Sequence, residues 1–274
     1  MKKIILCADD YGQNESISQA IIALLEKNRL SATSCLTTSA FWRAHSAKLK
    51  PFINQVDIGL HFNLTEGKPL SDALKKAHSF MSLSKLLVRA YWRLLNAKAI
   101  EAELNAQLDE FELALGRLPD FIDGHQHVHQ LPVIRQVVLK VYEQRLRQAG
   151  SYVRCVHDPK VFFRVKNRNY IKSMIIQLLG AATFKKELVK RKIPHNSSFS
   201  GIYQFAHSIH YSRIFPQFLA NSAPMGIIMC HPGVVGEHAN DAIAEARLLE
   251  FRYFESQQFE WDLRQADVRI GRFR

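Results

Sequence analysis

Three short segments concentrate side chains able to hold a metal ion or move a proton. They are Ala8-Asp9-Asp10-Tyr11-Gly12, Gly59-Leu60-His61-Phe62-Asn63-Leu64-Thr65-Glu66-Gly67 and Asp123-Gly124-His125-Gln126-His127-Val128-His129. The third is the densest. Read as a strand, residues two apart share a face, so Asp123, His125, His127 and His129 point the same way. Burying four polar side chains together is costly unless a metal or hydrogen bonds satisfy them, which favours a metal over an exposed histidine-rich edge. His61, with Asn63 and Thr65 on the same strand face, becomes a second candidate ligand. The adjacent acids Asp9 and Asp10 could cap a following helix. With histidines available as partners, chemistry is the better reading: one carboxylate binds metal and the other serves as a general base. Cys230-His231-Pro232-Gly233 places a further histidine in a turn after the apolar run Ile227–Met229.

Other schemes find little support. No Gly-x-Ser-x-Gly elbow, phosphate loop or Gly-x-Gly-x-x-Gly fingerprint occurs. Cys7, Cys35, Cys155 and Cys230 are scattered without zinc-finger spacing, and all fall in expected apolar strands. They read as buried free thiols of a chain in a reducing cytoplasm.

The elements that must position these residues alternate. Lys3–Ala8 reads as a first strand, because its apolar run is too short for a secretory signal. Ser16–Lys27 and Ala99–Leu115 have helical spacing, and Pro132 suits the first turn of a helix with Ile134, Val137, Val138 and Val141 facing inward. Strands are expected at Ser31–Thr38, Val56–Leu64, Phe121–Val128, Tyr152–Val156, Gly226–Cys230 and Val268–Phe273. Alternation of this kind implies an α/β fold, with a largely parallel sheet under helices. At 274 residues, barrel-like closure in one domain over 1–274 is expected. All three polar segments then fall at strand C-termini, where the loops of such folds converge.

The chain carries 37 Lys plus Arg against 25 Asp plus Glu, a formal +12. From Lys160 to Lys192 there are ten basic residues and one acidic, Glu187. That net +9 marks 160–192 as a basic, helical insertion or lid, a solvated face or a contact for an anionic substrate or membrane surface. No apolar run reaches the length of a membrane span. No nucleic-acid module is present, so none is expected as a partner.

Taken together, Ala-Asp-Asp-Tyr-Gly, Gly-Leu-His-Phe-Asn-Leu-Thr-Glu-Gly, Asp-Gly-His-Gln-His-Val-His and His-Pro-Gly resemble the YdjC-like carbohydrate deacetylase family. That family includes chitooligosaccharide deacetylases and a hopanoid-biosynthesis-associated branch. The motifs occur in family order across nearly the whole chain; Tyr11 stands where Phe is more usual. The resemblance implies a TIM-barrel-like fold and removal of an acetyl group from an N-acetylated sugar. It also implies one divalent ion held by Asp10, His61 and His125, with Asp9 as general base and His231 protonating the leaving amine. His127 and Arg154 are implied as pocket or substrate-contacting residues, and Asn63 is grouped with them. Mixed nitrogen and oxygen ligation suits Zn²⁺, Co²⁺ or Mn²⁺ and admits Mg²⁺.

Two competing functions keep the metal. A barrel phosphoesterase would use His127 and His129 to assemble further ions, and a metal-stabilised sugar-binding protein would need no base. A cytoplasmic location follows from the same reading, with the basic segment able to hold the chain at a membrane surface. Homo-oligomerisation is compatible with all three functions.

Overall fold

The computed structural model describes residues 1–75, 78–158, 177–205, 210–234 and 241–274, with Gln177 and Leu178 by backbone alone. Among the described residues, eight strands carry the fold: β1 (Lys2–Tyr11), β2 (Ala32–Cys35), β3 (Asp57–Phe62), β4 (Phe121–Gly124), β5 (Tyr152–Val153), β6 (Phe199–Ser200), β7 (Ile227–Cys230) and β8 (Val268–Ile270). Seven form one all-parallel path, β5-β4-β3-β2-β1-β7-β6, and β8 pairs with the start of β1. The path curls until its ends meet. Val153 bridges His195, just ahead of β6, and the Val153 N–H donates to the Pro194 carbonyl at 2.9 Å. Asn196 extends that seam by exchanging side-chain hydrogen bonds with the backbone N–H and C=O of Cys155. The expected parallel, barrel-like α/β architecture is present.

Helices surround the sheet: α1 (Glu15–Glu26), α2 (Trp42–Ser46), α3 (Asp72–Lys75), α4 (Leu83–Tyr91), α5 (Ala97–Leu115), α6 (Ile134–Val141), α7 (Ala182–Lys190), α8 (Tyr211–Asn221), α9 (Ala244–Glu255) and α10 (Gln257–Gln265). Strand alternation assigns two apolar layers. Ile4, Leu6 and Ala8 belong to the large cluster under the helices, whereas Ile5 and Cys7 join Phe121, Tyr152, Phe199, Ile227 and Met229 on the inner face. Continuing each strand two residues along that inner face reaches Asp9, His61, Asp123 and Arg154. The barrel interior is thus apolar below and polar at the C-terminal end. Gly59 makes room for this packing, since a Cβ there would lie 2.4 Å from the Phe121 ring.

Several boundaries differ from expectation. Strands expected at Ser31–Thr38, Val56–Leu64 and Tyr152–Val156 are shorter, and α6 starts at Ile134, after Val133 turns at φ 69°. The strand expected over Phe121–Val128 stops at Gly124. There the chain turns back so tightly that a Cβ would lie 2.9 Å from His129 N and Nδ1. His125–Gln130 is a 3₁₀ turn, with Gln126 and His127 left-handed at φ 52° and 60°. Of the basic segment, α7 is described and buries Phe184 and Leu188; residues 160–176 lie outside the described residues. Among the described residues, no helix is long and apolar enough to cross a membrane. All four cysteines are buried and free.

Candidate metal centre

Consecutive residues of a regular strand face opposite ways, yet Asp9 and Asp10 both come within reach of His61. The backbone explains how. Ala8 pairs with Thr33 and Tyr11 with Cys35, so three residues of β1 advance against two of β2, and Asp10 is left-handed at φ 69°. Such a bulge re-aims a side chain at the end of a strand, and Asp tolerates the left-handed region better than most residues. Helix capping does not occupy either acid. Asn14 caps α1 instead, its Oδ1 accepting the Ile17 N–H at 2.9 Å.

Asp10, His61 and His125 are buried and converge, their ligand atoms within 4.8 Å of one another. Asp10 Oδ1 lies 3.4 Å from His61 Nε2 and 3.1 Å from His125 Nδ1. In the register of the sheet, His61 stands opposite Asp123. The Nδ1–H of His61 donates to Asp123 Oδ1 at 2.7 Å, which leaves Nε2 turned to Asp10. Ser34 Oγ donates to the same Asp123 oxygen at 2.6 Å. A carboxylate that fixes tautomer and ring orientation is the usual support of a metal-binding imidazole.

The electrostatics suit a cation. Burial disfavours charge on His61, but Asp123, Asp9 and Asp10 outweigh it and raise its pKa to about 10. Burial would likewise push the Asp10 carboxyl up, yet Arg247 and the two imidazoles hold it well below the usual range. A proton is therefore drawn to the place that a divalent ion would take. Two imidazoles and a carboxylate, all buried, form a donor set that fits one such ion and leaves coordination positions open.

Asp9 is held differently. Arg154, fully buried, clasps its carboxylate with Nη1–Oδ2 and Nη2–Oδ1 contacts of 2.6 Å each, and also meets Asp123 Oδ2 at 2.7 Å. The expectation that Arg154 touches substrate is corrected by this burial: the guanidinium is spent on orienting Asp9 and Asp123. Asn63 is corrected in the same way. It is 2% exposed, its Oδ1 accepts the N–H groups of Thr65 and Glu66, and its Nδ2 donates to Thr38 Oγ1 and the Glu66 carbonyl. Its work is to shape the loop that presents Glu66, whose Oε1 lies 3.0 Å from His125 Nε2.

The 3₁₀ turn separates the histidines expected on one face. His125 reaches Asp10, whereas His127 packs edge-on against Phe199 with no partner for Nδ1 among the described residues. His129 Nε2 donates to the Arg154 carbonyl at 3.0 Å and its ring meets Phe184, and among the described residues it belongs to neither buried group that could hold an ion. His231 lies against Phe205, and its Nδ1 has no hydrogen-bond partner among the described residues. Burial and the charges of Arg247 and His61 outweigh Asp10 and Asp9, lowering its pKa to about 4, so the imidazole is neutral at pH 7.

Residue-by-residue reading missed Arg247 and Glu250 on α9. Arg247 Nη2 donates to Asp10 Oδ2 at 2.7 Å, and its Nε donates to Asp241. Glu250 accepts from Tyr203 OH and from the His231 N–H, at 2.5 Å each. Burial raises the Glu250 pKa from 4.5 to about 7, against the lowering effect of those donors. A raised folded-state value gives a contribution that is fully present below pH 4.5 and lost as pH climbs to about 7. Glu250→Gln should therefore gain stability relative to the wild type across that window, on the order of 3 kcal/mol. Urea denaturation of both chains at pH 4.5 and pH 7.5 measures it; parallel pH profiles would place a charged Glu250 at no cost.

The chain resembles known proteins in sequence and fold. The family model for YdjC-like proteins matches residues 3–265. A carbohydrate deacetylase of Danio rerio is 34% identical over 171 residues, 59% of this chain and 52% of that protein. A chitooligosaccharide deacetylase of Yersinia enterocolitica is 33% identical over 138 residues, 50% of this chain and 54% of that protein. The chain thus spans about half the length of the curated relatives it matches. The crystal structure of a protein of Enterococcus faecalis V583, provisionally described as a cellobiose-phosphate cleavage protein, superposes with a TM-score of 0.72. It is 19% identical and the match covers 99% of this chain and 97% of that one, a likeness of fold. With its matched family model reaching from the first strand to the last helix, this chain belongs to the YdjC-like protein family.

Proposed function

We propose that the chain is a metal-dependent hydrolase that removes the acetyl group from an N-acetylated sugar, an oligosaccharide or a sugar conjugate. The observation that carries this reading is the clasped carboxylate of Asp9 beside the buried Asp10, His61 and His125. A binding protein needs the second group and not the first. The names of the Danio and Yersinia relatives support the substrate class.

Asp10, His61 and His125 would hold one divalent ion, Zn²⁺, Co²⁺, Mn²⁺ or Mg²⁺. When bound, such an ion polarises an amide carbonyl and lowers the pKa of water toward about 7. Asp9, fixed by Arg154, takes the proton of the attacking water as the new carbon–oxygen bond forms. The carbon–nitrogen bond then breaks, and His231 protonates the departing amine. Because His231 is neutral at rest, its proton must first be supplied, and the one lifted by Asp9 balances the transfer. His127, whose ring meets Phe199 edge-on, is the residue retained for substrate contact.

Acetate release from a panel of N-acetylated sugars tests the reading, using protein stripped of metal and then reloaded with each ion. Release that appears only on reloading supports it. Metal-independent release, or phosphate release from sugar phosphates with none of acetate, would overturn it.

A further inference from the structure

The described residues expose nine large apolar side chains, and four lie within seven positions of one another: Val88, Tyr91, Trp92 and Leu94. The clustering follows from the helix. Helix α4 turns Leu86 and Ala90 into the core, with Leu83 and Leu87 packed beside them. Val88, Tyr91 and Trp92 fall three and four residues apart on its other side, with Trp92 75% exposed and Val88 and Leu94 58%. An isolated exposed leucine is ordinary, whereas a contiguous apolar and aromatic stripe marks a surface that is covered in use.

The charge around the stripe is one-sided. Between Asp72 and Glu101 the sequence has no acidic residue and six basic ones: Lys75, Lys76, Lys85, Arg89, Arg93 and Lys98. Helix α7 continues the same character on a neighbouring surface. Its exposed Val189 sits among Lys186, Lys190, Arg191 and Lys192. Arg135 joins the two surfaces, standing within electrostatic reach of Tyr91 and Arg93 on one side and of Glu187 on the other.

We propose that this face, Val88–Leu94 with the lysines and arginines that flank it in sequence, docks on an anionic lipid bilayer. A bilayer interface satisfies both halves of the surface. Trp and Tyr are at home at headgroup depth, with aliphatic side chains below them, while the basic groups meet lipid phosphates. A second copy of the same positive face would be repelled, and an uncharged partner would leave the lysines and arginines unmatched. The inference is independent of the deacetylation chemistry, since none of these residues belongs to the metal centre.

The test is co-sedimentation of the full chain with vesicles of phosphatidylglycerol and phosphatidylcholine in equal parts, against phosphatidylcholine alone. Two variants accompany the wild type: Val88→Ser with Trp92→Ser, and Lys85→Glu with Lys98→Glu. All four substituted side chains are exposed, and thermal denaturation shows whether each variant folds. The wild type should sediment with the anionic vesicles only, with a blue shift of tryptophan emission and about tenfold weaker binding at high salt. Each variant should lose about tenfold in affinity while its acetate release from a water-soluble sugar stays at the wild-type level. Equal binding to both vesicle types, wild-type binding by either folded variant, or no binding at all would overturn the proposal. So would a wild-type dimer in sedimentation velocity that Trp92→Ser dissociates and anionic vesicles do not compete, which assigns the face to a second copy.

Discussion

Replacing Asp9 by Asn should lower turnover by about 10²- to 10⁴-fold, the range lost with a positioned proton acceptor, while the chain keeps its metal. The isosteric amide keeps one acceptor for Arg154 but loses the second and the negative charge along with the capacity to take a proton, so thermal denaturation must show the variant folded. Asp10 carries the ligand role, so metal content should remain at the wild-type level. Acetate release and metal analysis on one preparation decide the matter. Lost metal together with lost turnover would make Asp9 a ligand, and undiminished turnover would remove it from proton transfer.

Arg154→Met should destabilise the folded chain by about 3–5 kcal/mol at pH 7. Methionine fills much of the space but leaves the Asp9 and Asp123 carboxylates buried without their counter-charge. Burial raises the Asp123 carboxyl, and at present Arg154 and His61 hold it below the usual range. Without Arg154 the folded-state value of Asp123 rises. The variant should then recover stability as pH falls toward the unfolded carboxylate range, the opposite of the wild-type trend for this group. Urea denaturation at pH 5 and pH 7 reads both effects. A role in substrate contact alone would leave stability within about 0.5 kcal/mol of the wild type and raise KM instead.

Much of the centre was legible because strand ends advertise themselves. An apolar run that stops at two acids, and another that stops at a histidine, carry a period of two that physics ties to one face. The pattern singled out the two acids, His61 and the histidine segment, and the family resemblance chose Asp10, His61 and His125 among them, three residues the structure brings together; alternation of strands and helices implied the parallel, barrel-like sheet. What the pattern could not carry is backbone that leaves the β region. The turn after Gly124 depends on left-handed Gln126 and His127, residue types that rarely adopt it, so His127 and His129 were placed on a face that does not exist. The bulge at Asp10 is equally silent in sequence, although it is what lets neighbouring acids share a site.

Long-range charge pairing was the other blind spot. Arg247 sits on a helix of mixed polarity, where an arginine ordinarily faces water, and nothing local ties it to Asp10 more than two hundred residues away. Arg154 was singled out, but its role was inverted: a buried guanidinium between two carboxylates and a substrate clamp look alike in sequence. Asn63 illustrates the same limit, since an amide beside a histidine can serve ligand or loop.

Metal stoichiometry is the measurement that reaches the central claim most directly. The wild type, Asp10→Asn, His61→Ala and His125→Ala would be stripped, reloaded with zinc, dialysed and analysed by mass spectrometry for metal per folded chain. The site described here predicts one ion per wild-type chain and close to none in each variant. Two or more ions per wild-type chain, or variants that retain the wild-type content, would contradict it.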